Sequence, residues 1–309
     1  MSRILVVWNS NNRVEHRDCD GVQKALEYQG HYVEQIRMSH MYKKYDEVNI
    51  NSFDCIMFKP WFNAQFGSGG NAWKLSERLR DEFKGKIFVF YCDIKMKFTP
   101  LILNYTESGY EKKNFFDGMN AKMLYSLHKS VLDDEEAMSA IMERTKEFDM
   151  PIIPFEWNFF TFSLYDELQS LVDFNQPLVY NSIYWGQFKK KVRDSLRLME
   201  FGKINDISVG PIAKHFGESL QILPEKDGRT IPFEEYVPKA KYVLVPFEDI
   251  KGKYQFTLRF VEALALKNSI ATIVFDPRVS EYLQQFSDVN NVRNRYHEIL
   301  NEFDNLLVK

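Results

Sequence analysis

Short apolar segments alternate with helical patterns along this chain, and this alternation limits the possible folds more than any other feature of the sequence. In the first half, strands are predicted at Ile4–Trp8, Cys55–Phe58 and Ile87–Tyr91, with helices at residues 20–29 and 71–83. This β-α-β-α order predicts an α/β domain in which helices cover both faces of a mostly parallel sheet.

The alternation begins again after residues 163–177, which look like a connection between domains. The strands and helices predicted in the second half are Leu178–Trp185, Phe188–Phe201, Ile207–Val209, Tyr242–Val245, Thr257–Lys267 and Ile270–Phe275. We therefore expect two doubly wound, Rossmann-like domains at residues 1–165 and 166–290 that face a central cleft. An amphipathic helix at residues 291–309 is expected to pack back on the first domain. Ligands of such sheets bind beyond the carboxyl ends of the strands.

Composition places the chain among ordinary soluble proteins and restricts its partners. Of its 309 residues, 45% are hydrophobic and 27% are charged, and the net charge is −3. No segment approaches the ~20 apolar residues of a membrane span. Proteins that act on nucleic acid often carry a basic excess, so any such surface must be local here. The isolated cysteines, without a CxxC motif, indicate reduced thiols in a cytoplasmic protein; they are Cys19, Cys55 and Cys92.

The strongest candidate site in the second half lies where a predicted strand meets a predicted helix. Gly186 and Gln187 stand at this junction, and Lys189 and Arg193 follow on one face of the helix. The free N–H groups and the positive dipole at a helix N-terminus suit a phosphate, and the two basic side chains could hold a diphosphate. A solvated basic helix face explains the same spacing, so the pattern alone leaves both interpretations open.

A second candidate is the start of another predicted helix at residues 257–262. Thr257 is suited to cap this helix, and Arg259 and Glu262 share one of its faces. A cation near phosphate and a carboxylate near ribose hydroxyls would together hold a nucleotide. A surface salt bridge between the two side chains is the alternative.

The third candidate is Asp93, which directly follows the predicted strand Ile87–Tyr91. An acid at the carboxyl end of a parallel strand points into the cleft and could act as a general base that deprotonates an acceptor hydroxyl. Lys95 and Lys97 follow at alternate positions and could contact acceptor phosphates. The alternative is an aspartate that caps the next segment.

Three other motifs give weaker indications. Asp18-Cys19-Asp20 matches a DxD metal-binding pattern, but the motif is short and lies at the start of a predicted helix. The glycine-rich residues 66–70 look like a phosphate loop but lack the Lys-Ser/Thr of a Walker motif. The acidic residues 133–136 are interpreted as a solvated helix start. We therefore predict no metal site from these motifs.

Four segments, taken in order, resemble the T-even phage DNA β-glucosyltransferases, which glycosylate hydroxymethylcytosine in DNA. They are residues 45–54 with 66–71, residues 86–95, residues 183–189 with Arg193, and residues 256–262. Each segment is modest alone, but their order and spacing make the match specific. The resemblance runs over most of the chain at low identity, and it implies the two-domain GT-B fold of glycosyltransferases.

The resemblance also implies a role for each candidate residue. Asp93 matches the general base, Glu156 matches a cleft glutamate on the sugar side, and Asp18 aligns with another acidic cleft residue. The residues implied to bind the donor are Gly186 and Gln187 at the diphosphate, Lys189, Arg193 and Arg259 at the phosphates, Glu262 at the ribose, Ile231 at the uracil and Gly210 near the sugar nucleotide.

The activity implied by the resemblance is inverting transfer of a sugar, glucose in the first place, from a UDP-sugar to 5-hydroxymethylcytosine in double-stranded DNA. The modified base must leave the duplex to reach the cleft. The resemblance further implies a monomer in the cytoplasm of an infected bacterial host. A divalent ion, Mg²⁺ or Mn²⁺, is implied only as an aid to UDP release, without a DxD site.

Departures from the family pattern keep alternatives open. Lys189 replaces an arginine and offers a point charge instead of a bidentate fork, while Trp185 and Gln187 replace small residues beside the donor phosphates. A different sugar, such as the pentose arabinose, is therefore one alternative. A non-catalytic module that binds nucleotide or DNA on the same fold is another. Transfer to a carbohydrate or small molecule is the third, and it would suit the acidic net charge.

Overall fold

A computed structural model describes residues 1–8, 13–59, 70–91, 100–127, 132–170, 173, 175–184, 207–209, 221–222, 237–246, 270–273, 285–286 and 288–308. The chain divides into two compact units. Residues 1–163 and 293–309 belong to the first unit, and most residues between them belong to the second.

The first unit is built on a parallel sheet. Its described strands are β1 (Arg3–Trp8), β2 (Tyr32–Arg37), β3 (Cys55–Lys59), β4 (Lys86–Tyr91), β5 (Leu101–Thr106), β6 (Gly109–Asn114), β7 (Ala121–Tyr125) and β8 (Ile152–Pro154). Six of these strands pair in the order β2-β1-β3-β4-β7-β8, and every pair is parallel. The other two, β5 and β6, form an antiparallel hairpin. The predicted α/β class with a mainly parallel sheet is confirmed.

The described α-helices are α1 (Arg13–Tyr28), α2 (Met38–Lys43), α3 (Gly70–Glu82), α4 (Glu135–Thr145), α5 (Tyr165–Ser170) and α6 (Val289–Val308). Short 3-10 turns lie at Ile50–Ser52, Lys146–Phe148, Trp157–Leu164 and Val237–Lys239. The acidic cluster at residues 133–136 begins α4, as predicted. Asp134 caps the helix, because its Oδ1 accepts a hydrogen bond from the Ala137 backbone N–H at 3.0 Å.

The central strands are apolar except for one basic residue at an end of each, because both faces of the sheet are covered. In β1, residues Ile4–Trp8 are all buried, and β3 and β4 are buried in the same continuous way. Parallel strands enclosed by helices on both sides require such runs instead of alternation. On one face, Phe58 packs edge-on against Phe115 and Phe116, with ring centres 5.6 and 5.4 Å apart.

A glycine in the middle of α1 allows close contact with the segment Trp157–Leu164. A Cβ on Gly21 would lie 2.9 Å from the Cα of Thr161, which is closer than real Cβ contacts. Ser163 also donates its hydroxyl hydrogen to the Gly21 carbonyl at 2.8 Å. Glycine is unfavourable inside a helix, so this close approach explains its presence there.

The C-terminal helix α6 packs against the first unit through apolar and polar contacts. The Phe303 ring lies 5.8 Å from Phe88, 6.0 Å from Phe155 and 5.8 Å from Phe160, measured between ring centres. Asp304 Oδ1 lies 2.7 Å from His31 Nε2. Lys86 Nζ donates a hydrogen bond to the Leu306 carbonyl at 2.9 Å. A cation at this place stabilises the helix, because the C-terminal end of a helix dipole is negative.

The second unit contains a parallel sheet of its own. Its described strands are β9 (Tyr180–Tyr184), β10 (Ile207–Val209), β11 (Gln221–Ile222), β12 (Ala240–Pro246) and β13 (Ile270–Ile273). They pair in the order β11-β10-β9-β12-β13, and each pair is parallel. The chain thus proceeds outward from β9 in one direction and then continues on its other side with β12. This reversal creates a topological switch point between the carboxyl ends of β9 and β12, where ligands of such sheets bind.

The structure differs from the predicted elements in several places, and the short helices α2 and α5 were not predicted, the second of them within the expected connection at residues 163–177. Helix α1 begins at Arg13 instead of residue 20, because its first turns are polar and resemble a loop in sequence. The local sequence pattern predicts no regular element between residues 100 and 127, where the structure has the β5–β6 hairpin and β7. The strand β6 is exposed or partly exposed along its length, so it lacks the apolar pattern that reveals a strand.

Candidate functional site

The carboxyl ends of neighbouring strands define one edge of the first sheet. Trp8 at the end of β1 is the register partner of Lys59 at the end of β3, and Tyr91 at the end of β4 is the partner of Tyr125. Tyr125 in turn pairs with Pro154 at the end of β8. The segments that leave these strands therefore start side by side, at the edge where α/β sheets bind ligands.

The end of β4 is held by two hydrogen bonds to one atom. The Tyr91 carbonyl oxygen accepts the backbone N–H of Ser126 at 2.9 Å and the indole Nε1–H of Trp157 at 3.2 Å. Asp93, the predicted general base, follows Tyr91 by two residues in the sequence. The last described carbonyl before the predicted base is thus fixed in direction.

The Trp157 side chain is enclosed at this edge. Its ring stacks on Phe90 with centres 5.1 Å apart and planes 6° from parallel. Lys59 Nζ lies 5.2 Å from the centre of the same ring, within the range of a cation–π contact. Only 1% of Trp157 is exposed, so the indole supports the strand ends from inside and does not offer a surface to a ligand.

Glu156, predicted on the sugar side, is buried against the C-terminal helix. Its Oε2 accepts hydrogen bonds from Arg295 Nε at 3.0 Å and from an Arg295 terminal nitrogen at 2.7 Å. Arg295 also contacts Glu298 at 2.7 Å and Glu302 at 3.2 Å. Burial of the guanidinium lowers its pKa, but the facing carboxylates outweigh this effect, and the net pKa of Arg295 is raised. The arrangement makes Glu156 an anchor for α6, and its contact with a sugar stays a prediction.

Asp18 lies in the first half of α1, and Asp20 follows two positions later in the same helix. Positions two apart in an α-helix are rotated by about 200°, so they do not share a face. Asp20 Oδ1 lies 3.4 Å from Gln35 Nε2, and Cys19 between the two acids is buried. The helical backbone thus gives a physical reason why this DxD sequence is a poor metal site.

In the second unit, two predicted donor-binding segments follow adjacent strands. Tyr184 at the end of β9 and Val209 at the end of β10 are register partners. Gly186 comes two residues after Tyr184, and Gly210 comes directly after Val209. The two segments therefore follow neighbouring strand ends of this sheet, and the first of them follows β9, which borders the switch point.

Most of the predicted site residues lie outside the described part of the chain, and their roles stay predictions. On the acceptor side they are Asp93, Lys95 and Lys97. On the donor side they are Gly186, Gln187, Lys189, Arg193, Gly210, Ile231, Arg259 and Glu262.

The structure adds residues at this edge that the sequence did not indicate. Trp157 stands beside the predicted Glu156, but no local pattern connects it with the end of β4, 66 positions earlier. Arg295 lies in an amphipathic helix and pairs with an acid 139 positions away. Ser126 is fully buried, and its hydroxyl has no hydrogen-bond partner among the residues that the structure describes. Tertiary packing, and no local sequence pattern, gives these side chains their places.

The described residues contain neither a candidate metal cluster nor a candidate membrane span. No group of three or more His, Cys, Asp or Glu side chains among them is arranged to hold a metal ion. None of the helices described is both long and apolar enough to cross a bilayer.

The fold is similar to that of a known glycosyltransferase. No protein-family model matches the chain, and no curated protein matches it. A solved structure described as an alpha-glucosyltransferase in complex with UDP and a 13-mer DNA containing a central A:G mismatch matches with a TM-score of 0.52 and 10% sequence identity. The match covers 98% of this chain and 95% of that chain. The likeness establishes a shared fold over nearly the full length of both chains.

Proposed function

We propose that this chain is a glycosyltransferase that moves a sugar, glucose in the first place, from a UDP-sugar to 5-hydroxymethylcytosine in double-stranded phage DNA. The observation that carries the proposal is the fold shared over nearly the whole of both chains with an alpha-glucosyltransferase solved with UDP and DNA. The four sequence segments that resemble the T-even phage DNA β-glucosyltransferases support the same activity from the residues.

The proposed donor site lies beyond the carboxyl ends of β9 and β10. Free backbone N–H groups at such strand ends and helix starts suit the diphosphate, which supports the role of Gly186 and Gln187. The charge that grows on the leaving UDP is balanced by Lys189, Arg193 and Arg259. Glu262 binds the ribose and Ile231 the uracil in this proposal, as the resemblance implies.

The proposed acceptor chemistry is centred on Asp93, two residues beyond the end of β4. Its carboxylate takes the proton of the hydroxymethyl group while the hydroxyl oxygen forms a bond to the anomeric carbon. The bond from that carbon to the UDP oxygen breaks, and its electron pair leaves with UDP. The attack comes from the face opposite to UDP, so the configuration is inverted. The target base has to leave the duplex for this reaction.

A transfer assay with a panel of UDP-sugars tests the proposal. Each radiolabelled donor is incubated with duplex DNA that contains hydroxymethylcytosine, and the same duplex with unmodified cytosine is the control. We expect label only in the modified duplex, and the productive donor identifies glucose or a pentose. Hydrolysis of UDP-sugar without transfer would contradict DNA as the acceptor. The absence of both hydrolysis and transfer would favour a non-catalytic module that binds nucleotide or DNA.

The configuration of the product tests the mechanism separately from the activity. Inverting transfer from UDP-α-glucose gives a β-linked glucose, which the proton coupling at the anomeric carbon distinguishes from an α-linked one by NMR. The similar solved structure is described as an alpha-glucosyltransferase, so both products are meaningful outcomes. An α-linked product would refute the single displacement with Asp93 as its base.

A further inference from the structure

We propose that Trp157 is a positioning residue for the transfer reaction, because it fixes the chain at the point from which Asp93 follows. This inference rests on the proposed function, in which Asp93 is the general base. Trp157 itself is buried and contacts no substrate in this proposal. It acts through the Tyr91 carbonyl at the end of β4.

The hydrogen bond from Trp157 is the second of two that the last carbonyl oxygen of β4 accepts. A carbonyl oxygen can accept two hydrogen bonds. The Tyr91 oxygen receives one from Ser126 N–H at 2.9 Å, which continues the contact between β4 and β7, and a second from the indole at 3.2 Å. The peptide group is planar, so a fixed carbonyl also fixes the orientation of the peptide bond by which the chain leaves β4.

The indole is held firmly enough to perform this task. It stacks nearly parallel on Phe90, the residue before Tyr91, and Lys59 Nζ from the neighbouring strand lies 5.2 Å from its centre. Stacked aromatic pairs contribute about 0.5–1.5 kcal/mol beyond the area that they bury. The ring therefore links the ends of β3 and β4 with the segment that follows β8.

An ion pair with the C-terminal helix α6 also holds the segment that contains Trp157. Glu156 directly precedes Trp157, and its carboxylate is bound by Arg295 of α6. The Phe155 N–H donates to the Tyr125 carbonyl at 2.7 Å, which ties the start of the segment to β7. Helix α6 thus supports the position of Trp157, and through it the end of β4.

The expected consequence is a loss of turnover without a loss of donor binding. A general base must lie within hydrogen-bond distance of the proton that it removes, and a displacement of about 1 Å can cost up to 10²-fold in rate. The proposed donor contacts lie on other segments of the chain. A change at Trp157 should therefore lower kcat and leave the KM for UDP-sugar unchanged.

The test compares Trp157→Phe with Trp73→Phe. The first variant keeps an aromatic ring for stacking on Phe90 but loses the N–H that binds Tyr91. The second loses an indole hydrogen bond of similar length, 2.8 Å to Glu77, on the helix α3. The same substitution is made at both sites, so the comparison controls for loss of an indole N–H as such, and exchange at residues 91–97 reports the bond to Tyr91. Transfer kinetics and hydrogen–deuterium exchange of the peptide that spans residues 91–97 are measured for both.

We expect kcat to fall about tenfold or more in Trp157→Phe, with an unchanged donor KM and faster exchange in residues 91–97. Trp73→Phe should resemble the wild type in both measurements. Exchange at residues 91–97 that is equal in the two variants would overturn the positioning role, whether or not transfer is detected. Faster exchange in Trp157→Phe with a wild-type kcat would also overturn it. A wild-type protein that transfers no sugar would refute the proposed function, and exchange would then still decide whether Trp157 holds the strand end.

Discussion

Removal of Arg295 gives the prediction with the largest expected effect on stability. The Arg295 side chain is 16% exposed and that of Glu156 is 1% exposed, so the pair is shielded from water. Arg295→Met keeps most of the aliphatic stem and removes the guanidinium that faces the buried carboxylate. Loss of one partner from a buried ion pair costs about 3–5 kcal/mol. At about 2–4 °C per kcal/mol for a folding unit of this size, Tm should fall by roughly 6–20 °C.

The matched control is Arg293→Met on the same helix. Arg293 is exposed and lies over the Phe162 ring at 5.8 Å. An exposed contact of this kind contributes about 0.5–1 kcal/mol. Urea and thermal unfolding followed by circular dichroism measure both variants. The reasoning is refuted if Arg295→Met destabilises the protein no more than Arg293→Met does.

The complementary variant, Glu156→Gln, separates anchoring from sugar binding. Arg295 keeps its contacts with Glu298 and Glu302 in this variant, so the stability loss should be smaller, about 1–3 kcal/mol. If Glu156 acts as the anchor, the KM for UDP-sugar stays within about twofold of the wild-type value. A raised KM together with unchanged stability would establish the sugar contact that the sequence predicts.

Two further substitutions and one labelling experiment test the proposed base and the packing of the first unit. Asp93→Asn should lower kcat about 10²–10⁴-fold with unchanged affinity for UDP, measured by single-turnover transfer and calorimetry; full activity would refute the assigned base. Gly21→Ala should reduce the free energy of unfolding by about 1–2 kcal/mol, because the added Cβ would collide with Thr161. An equal or higher stability in urea would show that the backbone shifts to accommodate the Cβ. Cys19 and Cys55 are buried, and burial raises the pKa of the Cys55 thiol, so both should resist alkylation at pH 8 until urea unfolds the chain. Peptide mapping reads each cysteine separately, and rapid native labelling of either would contradict its burial.

Local pattern was sufficient to predict the elements that carry the strongest burial. The runs Ile4–Trp8 and Ile87–Tyr91 agree with β1 and β4 to within one residue, because a strand buried on both faces must be apolar throughout. The segment Ile207–Val209 was predicted with its observed bounds. The hairpin β5–β6 escaped prediction because its exposed strand is stabilised by pairing and not by a buried face.

The candidate site could be predicted only as far as local chemistry allows. Asp93 and Gly186 follow apolar runs in the sequence, and such positions at the carboxyl end of a parallel strand are where ligands bind. The partner of Glu156 could not be predicted in this way. Arg295 is 139 positions away and has two acidic neighbours on its own helix, so the sequence suggests a local ion pair.

The sequence by itself determined the α/β class, the place of the main strands and the chemical types of the candidate site residues, because each depends on burial pattern and composition within short windows. Only the tertiary structure decided the strand order, the pairing of Arg295 with Glu156 and the contact of Trp157 with the Tyr91 carbonyl. These features join residues far apart in the chain, and their free energy comes from contacts that exist only when the sheet has formed. A local window contains one side of such a contact and no information about the other.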